Sequence, residues 1–122
     1  MALRDLTVYQ KHYDLILYAI PVINRFPKSQ RYVLGQQAMN TLVDIAKLII
    51  QANRQRGKNR LRTLWVVDQR LEEFRLLIRL AKDRHMLAGW QYGLMAEMAA
   101  EVGRLLGDWI KQTRASLVKE GE

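Results

Sequence analysis

54-RQRGKNRLR-62 lies at the middle of the chain and is its most basic segment. Arg54, Arg56, Lys58, Arg60 and Arg62 occupy every second position, with no acid among them. Gly57 interrupts the run, and glycine ends helices at little cost because it tolerates positive φ. Asn59 is of a type favoured at helix N-caps. The stretch therefore predicts a tight turn between two long helices, with five positive charges gathered at one end of a bundle. Such a tip repels itself unless an anion binds it or the charges point apart into water. A bare charge run is ordinarily a solvated loop that aids solubility. Here, however, the rest of the chain is basic too.

Outward from the turn, the apolar residues keep helical spacing. After it, Leu64, Val67, Leu71, Phe74, Ile78 and Ala81 form one stripe. Before it, Leu34, Ala38, Thr41, Ile45, Leu48 and Ala52 recur at steps of four and three. Further back, Thr7 and Gln10 read as a capping box. Leu6, Tyr9, Tyr13, Ile16, Ile20 and Ile23 then mark one face of a first helix. Pro21 should kink that helix and Pro27 should end it, while Ser29 can cap the next. A break is expected around His85 to Gly89. A last helix follows with Met95, Met98, Val102, Leu105 and Trp109 inward. The polar tail after Ala115 is expected to fray. The spacing thus predicts helices near residues 7–25, 30–54, 60–84 and 90–115. They would make one all-α domain over residues 1–122, an antiparallel up-down-up-down four-helix bundle.

The 122 residues include 20 Lys and Arg against 12 Asp and Glu, a formal charge of +8. A chain this long can bury roughly two-thirds of its unfolded surface, enough for a core without staples. It has no cysteine, which excludes disulfides and thiolate chemistry and fits a reducing cytoplasm. No apolar run approaches the roughly 20 residues that span a bilayer, and every strong helix has its apolar residues placed for a bundle instead of forming one isolated basic amphipathic helix, so no membrane role is expected. The first residues, MALRDLTVYQKHYD, carry charges where a signal peptide needs an apolar core. Export is not expected. A pI near 10 calls for a polyanionic partner.

Two features exceed the needs of a lone bundle. Trp65, Leu76 and Leu80 fall roughly opposite the core stripe of the third helix. Ala96, Ala99, Gly103 and Gly107 form a row of small residues on the last helix. That row serves equally well to seat the helix in its own bundle or to admit a second copy. With the outer apolar face, it makes Trp65, Leu76, Leu80, Gly103 and Gly107 the expected interface of a homo-oligomer.

Catalytic equipment is sparse. His12 and His85 are the two histidines, and no HExxH, CxxC or glycine-rich phosphate loop occurs. No metal site or cofactor is expected. Arg79 and His85 stand six positions apart and resemble the Arg-x(4–6)-His signature of HEPN-type ribonucleases. That family carries it near its last helix, whereas here it ends the third, where His85 and Arg84 would simply favour the helix C-terminus. The basic residues are the better signal. Arg75 and Arg79 flank the third helix and join Arg54, Arg56, Lys58, Arg60 and Arg62 as expected contacts to nucleic-acid phosphates. No base reader is evident: Trp65, Trp90, Trp109 and the five tyrosines read as packing.

Phe26-Pro27-Lys28-Ser29-Gln30-Arg31-Tyr32-Val33-Leu34-Gly35-Gln36 resembles the first-turn motif of a family of four-helix bundles. It includes the accessory variability determinant (Avd) proteins of diversity-generating retroelements and the proteins encoded in ribosomal RNA intervening sequences. Gln91-Tyr92 and the run from Glu101 to Ile110 resemble the Avd branch. The ribosomal branch carries Asn-Ile-Ala-Glu-Gly in its second helix, where this chain has Asp44-Ile45-Ala46-Lys47. The resemblance implies a homopentameric barrel that binds RNA and DNA without strong sequence preference. It also implies a reverse transcriptase as partner in mutagenic cDNA synthesis, with no catalysis by the accessory protein. A purely structural oligomer is the alternative expectation. Lys28 and Arg31 fall inside the shared motif and could serve the fold instead of a ligand.

Overall fold

The computed structural model describes residues 3–121, with side chains from 7 to 120. All regular structure among them is helical. α1 spans Leu3–Asn24. α2 is a single turn, Lys28–Gln30, that passes through a π-helical turn, Arg31–Gly35, into α3, Gln36–Arg54. α4 spans Gly57–Asp83 and α5 spans Gly89–Gly121. The four long helices form an antiparallel bundle. α1 packs on α3 and α5, and α4 packs on the same two.

The α4 stripe lies in the core as its spacing predicts: Leu64, Val67, Leu71, Phe74, Ile78 and Ala81 are all buried. In α5, Met95, Val102, Leu105 and Trp109 are buried, with Met98 partly so. In α3 the inward line runs through Ala38, Leu42, Ile45, Ile49 and Ala52, leaving Thr41 and Leu48 half-buried beside it. In α1 the expected face is displaced. The buried line is Val8, His12, Leu15, Ala19 and Val22, with Ile23 alongside and Phe26 buried just past the helix end. Tyr13 and Ile20 are exposed instead, and the Leu6 side chain falls outside the described residues. The cause is His12. Its Nε2 meets the Leu42 carbonyl oxygen at 2.7 Å, so a polar residue holds a core position of the helical repeat.

The helix ends also depart from their expected caps. α1 is already under way at Leu3, which puts Thr7 inside it, and Pro21 lies within the helix. Pro27, not Ser29, precedes α2, and no side chain caps it. Arg31 donates from Nη2 to the Phe26 carbonyl at 3.3 Å, a fold-holding role for this motif residue. Gly35 is buried where an added Cβ would come within 3.0 Å of Ile23 Cγ2. That close approach lets the π turn press against the end of α1. Past Ala115 the chain stays helical to Gly121. Leu117, half-buried, packs beside Gly57 in these last turns.

At the far end of α4, His85 takes φ +61°. Its N–H donates to the Lys82 carbonyl at 2.9 Å and the Met86 N–H to the Ala81 carbonyl at 2.8 Å. These two bonds define a Schellman stop, built on histidine where glycine is usual.

Candidate nucleic-acid interface

At the central turn, α3 ends at Arg54, Gln55 and Arg56 are extended, and Gly57 opens α4 with φ +59°. That φ suits glycine. Asn59 is therefore not the cap but part of the first turn of α4. Thr63 Oγ1 donates to Gln55 Oε1 at 2.6 Å and pins the linker to the helix that follows.

The seven basic residues expected to meet phosphates separate into three groups. Arg60 is half-buried and turned inward. Its Nε donates to the Ala52 carbonyl at 2.9 Å and its Nη2 to the Asn53 carbonyl at 3.3 Å. Its guanidinium also lies 5.5 Å from the centre of the buried Trp109 ring. Arg60 thus caps α3 while seated on α5, and ties three helices together. Arg75 and Arg79 are matched by acids on their own helix. Arg75 reaches Glu72 at 3.2 Å and Arg79 reaches Asp83 at 4.0 Å. Arg54, Arg56, Lys58 and Arg62 form the third group. All four are exposed, and none takes part in a salt bridge among the described residues.

Elsewhere the pattern of α4 repeats. Arg70 pairs with Glu73 at 3.0 Å, and Arg104 with Glu101 at 2.7 Å and Asp108 at 3.6 Å. Hydrogen bonds from Arg104 hold the Glu101 carboxyl below its ordinary pKa. These pairs occupy the middle of the bundle, where Asp14, Asp44, Asp68, Glu72, Glu73, Glu97, Glu101 and Asp108 also fall. The turn end draws on residues 45–67 and 109–119, which contain no acid, together with the start of α1, which carries Asp5, and with Glu120 in the last turn of α5. Charge is therefore sorted along the bundle axis: a balanced middle and a strongly cationic end.

A cleft of about 250 Å³ opens at this end between the start of α4 and the last turns of α5. Arg56, Gly57, Arg60, Gln112, Ser116 and Glu120 line it, so that one carboxylate faces the cationic groups there. The first turn of α4 holds no acid, and no side chain caps it. Its leading N–H groups and the helix dipole add to the positive potential of Arg56 and Lys58. A positive potential of this kind favours an anion at the cleft, with the Glu120 carboxylate opposing it.

The expected oligomer residues are divided. Trp65, Leu76 and Leu80 are 47%, 58% and 42% exposed. Gly103 instead serves the bundle: a Cβ there would stand 3.4 Å from Leu71 Cδ2 and from Arg75 Nη2. Gly107 faces open space. His85 and Arg79, the ribonuclease-like pair, each have a local task, in the α4 stop and in the Asp83 pair. The packing expected of the tryptophans holds for Trp109, 1% exposed, and fails for Trp90, 70% exposed.

A profile of the bAvd-like family matches residues 6–113. The chain belongs to the bAvd-like family. Membership supports an accessory protein of the retroelement kind. Among solved structures, a protein of unknown function from the S23 ribosomal protein family of Bacteroides thetaiotaomicron is similar at a TM-score of 0.80. The two share 17% sequence identity over 89% of this chain and 99% of that one, a likeness of fold. No curated protein is significantly similar to the chain. Among the described residues, no helix is long and apolar enough to cross a membrane. No group of three or more His, Asp or Glu side chains there is placed to hold a metal ion.

Proposed function

We propose that this bAvd-like chain is a single-domain, non-enzymatic, cytoplasmic accessory protein. It binds RNA and DNA without strong sequence preference, as partner of a reverse transcriptase in retroelement-driven mutagenic cDNA synthesis. The observation that carries the reading is the exposure of Arg54, Arg56, Lys58 and Arg62 at the turn end, none of them in a salt bridge among the described residues, with the cleft there lined by a single acid, Glu120. Arg75 and Arg79 are secondary contacts, since a phosphate must first compete with Glu72 and Asp83. Self-association through Trp65, Leu76 and Leu80 belongs to the same proposal, with five copies as the family resemblance implies.

Binding of a labelled single-stranded RNA, followed by anisotropy across a salt series, tests it. Four phosphate contacts give a log–log salt slope of about −2.8 per chain. Affinity should then fall about 50-fold between roughly 50 and 200 mM salt. Arg54→Glu with Arg56→Glu should flatten the slope by about 1.4 without unfolding the bundle. No binding at low salt would end the nucleic-acid reading. Co-purification with a reverse transcriptase from the same element tests the partnership.

A further inference from the structure

The bundle's opposite end is cationic in a different way. There α1 finishes, α2 begins, α4 stops and α5 starts. Residues 15–43 and 84–96 build it, and neither stretch contains Asp or Glu. The adjoining Asp83 is already shared by Arg79 and Lys82. Arg25, Lys28 and Arg84 are exposed there, outside any salt bridge among the described residues. Between α1 and α5 lies a cleft of about 200 Å³, lined by Tyr18, Pro21, Val22, Arg25, Trp90 and Gln91. Trp90 offers most of its indole to solvent, beside a guanidinium and over an apolar floor. The turn end, by comparison, presents charge and hydroxyls but no exposed aromatic ring in its cleft.

We propose that this second cleft takes one unpaired base of a single strand, stacked on Trp90, while Arg25 neutralises the neighbouring phosphate. An exposed ring beside a cation, with no carboxylate near, suits a base on a polyanionic backbone. The inference rests on the nucleic-acid reading above and adds strand type to it: the two ends differ, one holding backbone only, the other requiring an unstacked base.

The test compares a labelled oligouridylate, the same strand with abasic positions, and a duplex of equal length, at one salt concentration. Proteins are the wild type, Trp90→Ala, Trp90→Phe and Arg25→Ala. Trp90→Ala should weaken the single strand about 5- to 150-fold and leave the duplex within about twofold. Trp90→Phe should keep most of the affinity. The abasic strand should bind wild type more weakly, and should lose little further in Trp90→Ala. That arm requires no folded variant, because wild type alone must prefer the strand with bases. Equal losses on strand and duplex, or indifference to the missing bases, overturn the proposal. So does strand binding unchanged in Trp90→Ala while self-association or polymerase capture is lost, which would make the cleft a protein-docking surface. Wild type that binds neither nucleic acid at low salt refutes the broader function instead.

Discussion

Arg60 and Arg56 stand four residues apart on one basic turn, yet Arg60 is bonded to α3 and seated on Trp109 while Arg56 is exposed. Replacing Arg60 by Ala removes two hydrogen bonds to the last carbonyls of α3 and the cation over Trp109. A buried hydrogen bond to a charged group contributes about 1.5–3 kcal/mol. Here one bond is long and the group is half-exposed, so about 1–1.5 kcal/mol is reasonable for the pair. The cation–ring contact adds about 0.5–1 kcal/mol. Arg60→Ala should therefore cost about 2 kcal/mol, and lower the midpoint of thermal unfolding by about 6–10 °C. Arg56→Ala touches no such partner and should stay within about 0.5 kcal/mol of wild type. The assay is urea and thermal unfolding at one fixed protein concentration, since self-association would otherwise shift the midpoint. RNA affinity, measured where both variants are folded, should move the other way: weaker for Arg56→Ala, nearly unchanged for Arg60→Ala. Equal stability of the two variants, or equal loss of RNA affinity, would refute the division of the turn into structural and ligand-facing arginines.

Other expectations follow from the same geometry. Burial lowers the His12 pKa from its ordinary 6.5, against a smaller upward effect of the Leu42 carbonyl. Below pH 6.5 the unfolded chain takes up a proton that the folded one refuses, so stability is full above 6.5 and falls as pH drops toward the folded pKa. Unfolding curves should show this decline, and His12→Leu should abolish most of it; an unchanged pH profile would mean that His12 titrates freely. Gly35→Ala should destabilise by about 1–3 kcal/mol, because its Cβ presses on Ile23, whereas Gly107→Ala meets open space and should stabilise slightly through helix propensity. Chemical unfolding of both variants checks the contrast. Trp65→Glu with Leu76→Glu should reduce the mass seen by light scattering to that of one chain without loss of helicity; a mass unaffected by either change would move the self-association surface elsewhere.

Much of the fold can be read from spacing alone, and the places where it cannot are informative. α4 has a continuous line of large apolar residues from Leu64 to Ala81 and only one way to bury it. α1 offers two competing lines. The one richer in aromatic and branched side chains turns outward at Tyr13 and Ile20, while Tyr9 and Ile16 are half-buried against the core and Ile23 is buried. The inward line includes His12, which hydropathy counts as polar and which becomes acceptable in the core only because a carbonyl from α3 meets it. A partner thirty positions away in sequence leaves no local trace. The same is true of the turn. Its charge was evident, but Arg60 becomes a capping residue only when the chain folds back and brings the Ala52 and Asn53 carbonyls within reach.

Composition and period were sufficient for four helices, their core-facing line in α4, the cationic turn and the shared first-turn motif. These are local properties: each depends on residues within a few turns of one another, so order along the chain already encodes them. Which arginines remain free, which glycine seats a helix and which tryptophan meets solvent depended on the reversal of the chain at Gln55–Arg56 and at the His85 stop. Pairing energies act over a few ångströms, and only folding sets those distances between residues remote in sequence.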